Sequence, residues 1–170
     1  MIDPEYRAEV DTERLSNSVT SLADCLCQFA QLVQDPVYRG SVEPHGHGEP
    51  ILLIPGFLAG DWTLRVMAGW LNRVGYRAYL SGIDWNIDCP NRTVERLQWR
   101  LEHIVSKSSH PVILIGHSLG GVLARFLGLN FPERIGHIIA LGSPITPPLR
   151  VHPLLLAASR LLQPDRKSVV

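Results

Sequence analysis

Gly116-His117-Ser118-Leu119-Gly120-Gly121 sets one hydroxyl at the centre of a glycine-flanked hexapeptide. A serine hydroxyl is a weak nucleophile until its surroundings activate it, and the letters Gly-x-Ser-x-Gly do not supply that alone. Their context does. A β-branched apolar run at 112–115 precedes the motif and a helix-forming run at 122–129 follows it. A strand-to-helix turn this sharp holds Ser118 in a strained backbone conformation. It needs glycines at Gly116 and Gly120, where a Cβ would meet the neighbouring strand or helix. The turn lifts the hydroxyl clear of the sheet, places it at a helix N-terminus that favours anions, and aims the Leu119 N–H at a developing oxyanion. The chemistry expected is attack by Ser118 on a carbonyl. The plainer alternative is a Gly-rich turn in which Ser118 only caps a helix.

Such a turn has to be carried by a sheet. Apolar runs at 51–54, 78–83, 112–115 and 138–141 start 27, 34 and 26 residues apart, close to the ~30 residues of a βαβ unit. They do not alternate, which predicts strands buried on both faces of a parallel sheet. Between them, Val66, Met67, Trp70, Leu71 and Val74 share one helical stripe closed by Gly75, and Val94, Leu97, Leu101, Ile104 and Val105 share another. The fold class expected is α/β, a parallel sheet with helices on both faces. Ahead of it, Leu15, Val19, Leu22, Leu26, Phe29 and Val33 line an N-terminal helix ending before Pro36, and 40–50 has a Gly/Pro linker composition. The division expected is 1–48 as helical segment and linker and 49–170 as the sheet domain. The N-terminal stripe suits docking on that domain or a short coiled-coil seam.

With these residues in place, the chain resembles the lipase and esterase group of the α/β-hydrolase family. Residues 116–121 match the nucleophile elbow of bacterial lipases. Ile51-Leu52-Leu53-Ile54-Pro55-Gly56-Phe57 is similar to the strand and loop that supply the other oxyanion donor. Many lipases carry His-Gly where this chain has Pro55-Gly56. The match implies that the Phe57 N–H is the second donor and that the first and third strands are neighbours. Phe57 and Ser118 would then lie together at the topological switch point, where doubly wound sheets open a crevice. Gly142-Ser143-Pro144 is similar to a segment many lipases carry after the next strand, and the resemblance covers about 49–148.

Composition agrees with a globular core-forming domain. Of 170 residues 45% are hydrophobic and 19% charged, with 16 Lys+Arg against 16 Asp+Glu, so neither a polyelectrolyte nor a nucleic-acid binder is indicated. The acidic N-terminus is not a secretory signal, which makes the cytoplasm the expected location. Cys25, Cys27 and Cys89 have no metal or paired spacing and are taken as reduced thiols. The stretch 111–131 carries one charge, Arg125, but its four glycines, Ser118 and His117 suit a buried strand and helix better than a membrane span. His117 should point away from Ser118. His45 and His47 lack metal partners, and Trp62, Trp70, Trp85 and Trp99 are taken as core or pocket walls. Asp84 and Asp88 follow the second strand at the catalytic edge, where turns and caps use Asp as readily as pockets do.

The family order is Ser, then Asp or Glu, then His. Only 26 residues follow Pro144, and their His152 precedes Asp165, so the catalytic acid and base stay unknown. Three explanations stand: the N-terminal part of a longer, truncated hydrolase; a non-catalytic remnant; or an acid and base found elsewhere, through His152 or a second chain. The first is preferred because an ended sheet exposes the apolar strand 135–141 as an edge. The reading adopted is a serine hydrolase acting through an acyl-enzyme on a small-molecule ester with an apolar acyl group. It needs no metal or organic cofactor, no nucleic acid and no membrane span. Acyl transfer, or an interaction module that self-associates through the fourth-strand edge or the N-terminal helix, stands beside it.

Overall fold

The four apolar runs form one parallel sheet in a computed structural model of the protein, which describes residues 22–41, 45–87 and 90–144. Its strands are β1 (Pro50–Ile54), β2 (Arg77–Leu80), β3 (Val112–His117) and β4 (Ile135–Leu141), in the order β2-β1-β3-β4. The chain thus runs from β1 to β2 on one side and then crosses back over β1 to β3 on the other. The register pairs Ile54 with Gly116, which puts the ends of β1 and β3 side by side at the switch point.

Numbered in chain order, the helices are α1 (Leu22–Gln34), α2 (Pro36–Arg39), α3 (Arg65–Arg73), α4 (Pro90–Val105) and α5 (Leu119–Asn130). Alternation along β1 divides the core in two. Leu52 and Ile54 pack with Leu97, Leu101 and Ile104 of α4 and Leu123, Ala124 and Leu127 of α5. Ile51 and Leu53 face the opposite way, onto Leu64 and onto Ala68 and Leu71 of α3. Helices therefore cover both faces, as expected of α/β architecture. Leu114 is fully buried at the middle of the larger cluster. Leu114→Ala is expected to cost about 2–5 kcal/mol, transfer and cavity terms together, read as a fall in the urea midpoint.

Three expectations are corrected. Burial on both faces holds for β1 and nearly for β3, but β2 is only half-buried and β4 is exposed along its middle, with Ile138 38% and Ile139 45% accessible. Among the described residues β4 is an edge strand, covered by α5 on one side. The second strand stops at Leu80 rather than 83, because the carboxylate of Asp61 takes the Ser81 and Gly82 N–H groups and Gly82 turns at φ 82°. The α3 stripe is also rotated from the expected one. A 3-10 turn at Asp61–Leu64 leads into the helix and drops Leu64 into the core, so Leu64, Ala68 and Leu71 are buried while Val66 is exposed.

The chain divides into two compact units, Met1–Ser41 and Val42–Val170. In the first, α1 ends before Pro36 as its pattern predicts, and Asp35 caps α2 by accepting the Val37 N–H at 2.8 Å. Cys25 and Cys27 of α1 are free thiols. Leu15, Val19 and Cys89 lie outside the described residues. Within the described residues no helix is long and apolar enough to cross a membrane, and the stretch 111–131 is largely β3 followed by α5.

Candidate functional site

Ser118 is the single residue between the end of β3 and the start of α5. Its backbone, at φ 51° and ψ −116°, lies where a side chain costs of order 1–3 kcal/mol, a state that persists only when the surroundings over-determine it. They do. The Ser118 N–H donates to the carbonyl of Leu141, the last residue of β4, at 2.8 Å, and the Ser118 carbonyl accepts the Gly121 N–H at 3.1 Å. The glycines serve close approach. A Cβ on Gly116 would run into the backbone of Gly120 and Gly121, one on Gly120 into the carbonyl oxygens of Ile54 and Pro55, and one on Gly121 into the side chain of Ser143. The first turn of α5 thus lies directly on the end of β1.

The segment Pro55-Gly56-Phe57 leaves β1 beside this turn. A Cβ on Gly56 would sit 3.1 Å from His117 Nδ1 and 3.2 Å from the Ser118 Cβ, so the loop backbone and the serine are in van der Waals reach. Leu119 is the first residue of α5, and the leading N–H groups of a helix have no partner within it. Among the described residues neither the Leu119 nor the Phe57 N–H has an acceptor, and the Ser118 hydroxyl has no hydrogen-bond partner. Ser118, Leu119, Gly120 and the Gly56–Phe57 loop are therefore brought together. A general base is not among them.

The other residues of interest are dispersed. His117 is exposed at the end of β3, with its Nδ1 towards Gly56. His45 and His47 precede β1, at the end of the strand away from Gly56. There the Glu49 carboxylate accepts the His47 N–H at 2.7 Å, and its own and the His47 backbone N–H groups hold it below the usual carboxylate range. No group of three His, Cys, Asp or Glu among the described residues could hold a metal ion. Asp84 is exposed; Asp88, His152 and Asp165 lie outside the described residues. Of the four tryptophans only Trp70 packs against the core. Trp62 and Trp85 are more than half exposed and pair with ring centroids 6.3 Å apart at 60°, while Trp99 stands 75% exposed on α4, because the buried side of that helix is taken by Leu97, Leu101 and Ile104.

Two polar residues escaped the sequence reading. Asp61 accepts the Ser81 hydroxyl at 2.6 Å and the Ser81 and Gly82 N–H groups at 3.1 and 2.7 Å, tying the loop after β1 to the loop after β2. Asn86, 3% exposed, donates from Nδ2 to the Pro55 carbonyl at 2.9 Å. Neither has a spacing signature. Asn86 stands between Asp84 and Asp88, which look equally apt for a turn, and only burial sets it apart.

Residues 93–164 match the family model described as alpha/beta hydrolase fold. Solved structures similar to this chain include a lipase of Bacillus licheniformis in its mature form, 23% identical with a TM-score of 0.48 over 60% of this chain and 43% of that one. A probable hydrolytic enzyme of Pseudomonas aeruginosa is 21% identical with a TM-score of 0.48 over 58% and 34%. A monoacylglycerol lipase of Paleococcus ferrophilus is 19% identical with a TM-score of 0.48 over 68% and 48%. The chain spans about a third to a half of the length of these structures.

Proposed function

We propose that the chain is an α/β-hydrolase, the fold whose family model residues 93–164 match, and that Ser118 is the nucleophile of an acyl-transfer reaction on carboxylic esters. The observation that carries this reading is the strained Ser118 backbone at a strand-to-helix turn, with the N–H groups of Leu119 and Phe57, unpaired among the described residues, beside it. A non-glycine side chain held at such a φ invites a functional reading, and preorganised donors are what a developing oxyanion requires.

The Ser118 Oγ adds to the ester carbonyl carbon and gives up its proton to a base. The carbonyl oxygen gathers negative charge between the Phe57 and Leu119 N–H groups, at the positive end of α5. Collapse breaks the bond to the alcohol, which leaves carrying a proton, and the acyl group stays on Ser118. Water then releases the acid; an alcohol in its place would complete a transfer. The route needs no metal or organic cofactor. Leu58, Trp62, Trp85 and Ile87 are exposed apolar side chains on the loops after β1 and β2, at the edge of the sheet that carries Ser118. They support an apolar acyl group as the bound portion.

The test is covalent capture. Incubated with an alkyl fluorophosphonate and, separately, with p-nitrophenyl butyrate, the protein is expected to gain one adduct in the peptide containing Ser118, read by mass spectrometry. An adduct confined to another residue, or none with either reagent, overturns the assignment.

A further inference from the structure

We propose that Asn86 is a positioning residue that aims the Phe57 N–H at the oxyanion; this rests on the reading of Ser118 and Phe57 given above. The peptide planes of the loop set that aim. In the planar trans peptide joining Gly56 to Phe57, the Gly56 carbonyl and the Phe57 N–H point in opposite directions, so whatever holds the carbonyl aims the N–H. That carbonyl accepts the Ala59 N–H at 3.2 Å. The Ala59 carbonyl in turn accepts the Asn86 N–H at 2.8 Å, and the Asn86 carbonyl accepts the Leu58 N–H at 3.2 Å. On the other side of the same peptide, Asn86 Nδ2 holds the Pro55 carbonyl at 2.9 Å. Three bonds from one buried residue thus bracket the Phe57 amide, and they hold Leu58 at φ 58°, a conformation that costs an L residue free energy.

The bonds differ in what a substitution removes. The two made by the Asn86 backbone survive any side-chain change, whereas the one to Pro55 does not. That carbonyl lies next to the first turn of α5, close enough that a Cβ on Gly120 would meet it. Released from Nδ2, the 55–56 peptide is free to tilt, and the Phe57 N–H tilts with its neighbour. Leu119, on α5, is not linked to Asn86 and should be unaffected. The two oxyanion donors therefore separate, which a purely structural role for Asn86 would not produce.

The experiment uses the full chain labelled with 15N, and phenylboronic acid as the probe, which forms a tetrahedral adduct on a reactive serine. In the unaltered protein both the Phe57 and Leu119 amide resonances are expected to shift on adding the boronic acid, and neither in Ser118→Ala. In Asn86→Ala the Leu119 shift should persist and the Phe57 shift should fall at least threefold. Acylation by p-nitrophenyl butyrate should fall roughly 10–100-fold, mostly in kcat rather than KM, as displacement of one oxyanion donor predicts. Asn86→Asp keeps the shape and loses the donor once ionised. If Asn86→Ala does not fold, Asn86→Asp should show the same selective loss, reversed at low pH as the carboxyl regains a proton to donate. Shifts at both amides that survive in the folded variants, or that fall together, overturn the positioning role. No shift at either amide in the unaltered protein overturns the Ser118 reading itself, and this inference with it.

Discussion

Gly120→Ala should be a strongly disruptive single-methyl change in the site, costing about 3 kcal/mol or more and lowering acylation of Ser118 by about 100-fold or more. The added Cβ would overlap the carbonyl oxygens of Ile54 and Pro55. Ile54 ends the buried β1 and Pro55, itself buried, follows it, so no flexible side chain can move aside. Overpacking ordinarily costs 1–3 kcal/mol, occasionally more, and a backbone obstacle places this case at the upper end. Relief requires α5 to withdraw from β1, which carries Ser118 and the Leu119 N–H away from Phe57. A misplacement near 1 Å is worth about two orders of magnitude in rate. Gly69→Ala is the control. It lies within α3, where a Cβ would meet nothing within 4 Å, and alanine should stabilise the helix by about 0.5–1 kcal/mol. The comparison needs urea midpoints and Ser118 labelling rates for both variants. Equal behaviour of the two glycines would refute the close approach of α5 to β1.

That approach marks where the sequence was legible and where it was not. The strand-to-helix turn at Ser118 could be read because its constraint is local: a strand, one serine, glycines at fixed offsets and a helix all sit within about twenty residues. The parallel sheet was legible for a related reason, since doubly buried strands must be continuously apolar. The same rule overstated the burial of β4, although the ended sheet had already marked 135–141 as an edge. Its run Ile135–Leu141 is as apolar as that of β3, yet its middle is exposed among the described residues, because apolar composition does not reveal whether a neighbour covers the strand. The tryptophans show the same limit of composition. Of the two roles their type suggested, core or pocket wall, exposure excludes the core for Trp62 and Trp85. What could not be read at all was the coupling between loops. Asp61 reaches residues twenty and twenty-one positions away, and Asn86 reaches Pro55 across thirty-one. Such bonds leave no periodicity, and the residue types that make them are also ordinary turn formers.

Ser118→Gly should abolish acylation and at the same time make the protein more stable than Ser118→Ala. Both variants lack the hydroxyl, so labelling by an alkyl fluorophosphonate should fall to background, a loss of about 1,000-fold or more if Ser118 is the nucleophile. They differ in the backbone. Alanine keeps a Cβ at φ 51° and ψ −116° and with it the strain, of order 1–3 kcal/mol. Glycine relieves that strain but brings back about 0.5–1 kcal/mol of unfolded-state entropy. The balance favours glycine by about 1 kcal/mol, or about 2–4 °C in Tm for a chain of this size. Thermal unfolding of the two variants, paired with the labelling assay, separates the claims. Persistent labelling in either variant would place the nucleophile elsewhere, whatever the melting temperatures. Equal melting temperatures would mean that the turn is not strained, while leaving the hydroxyl's role to the labelling result. Activity lost and stability gained at one residue is the combination expected of a fold that holds a side chain in a costly conformation for its chemistry. The clamp from Leu141 and the glycine contacts around Ser118 are how this fold holds it there.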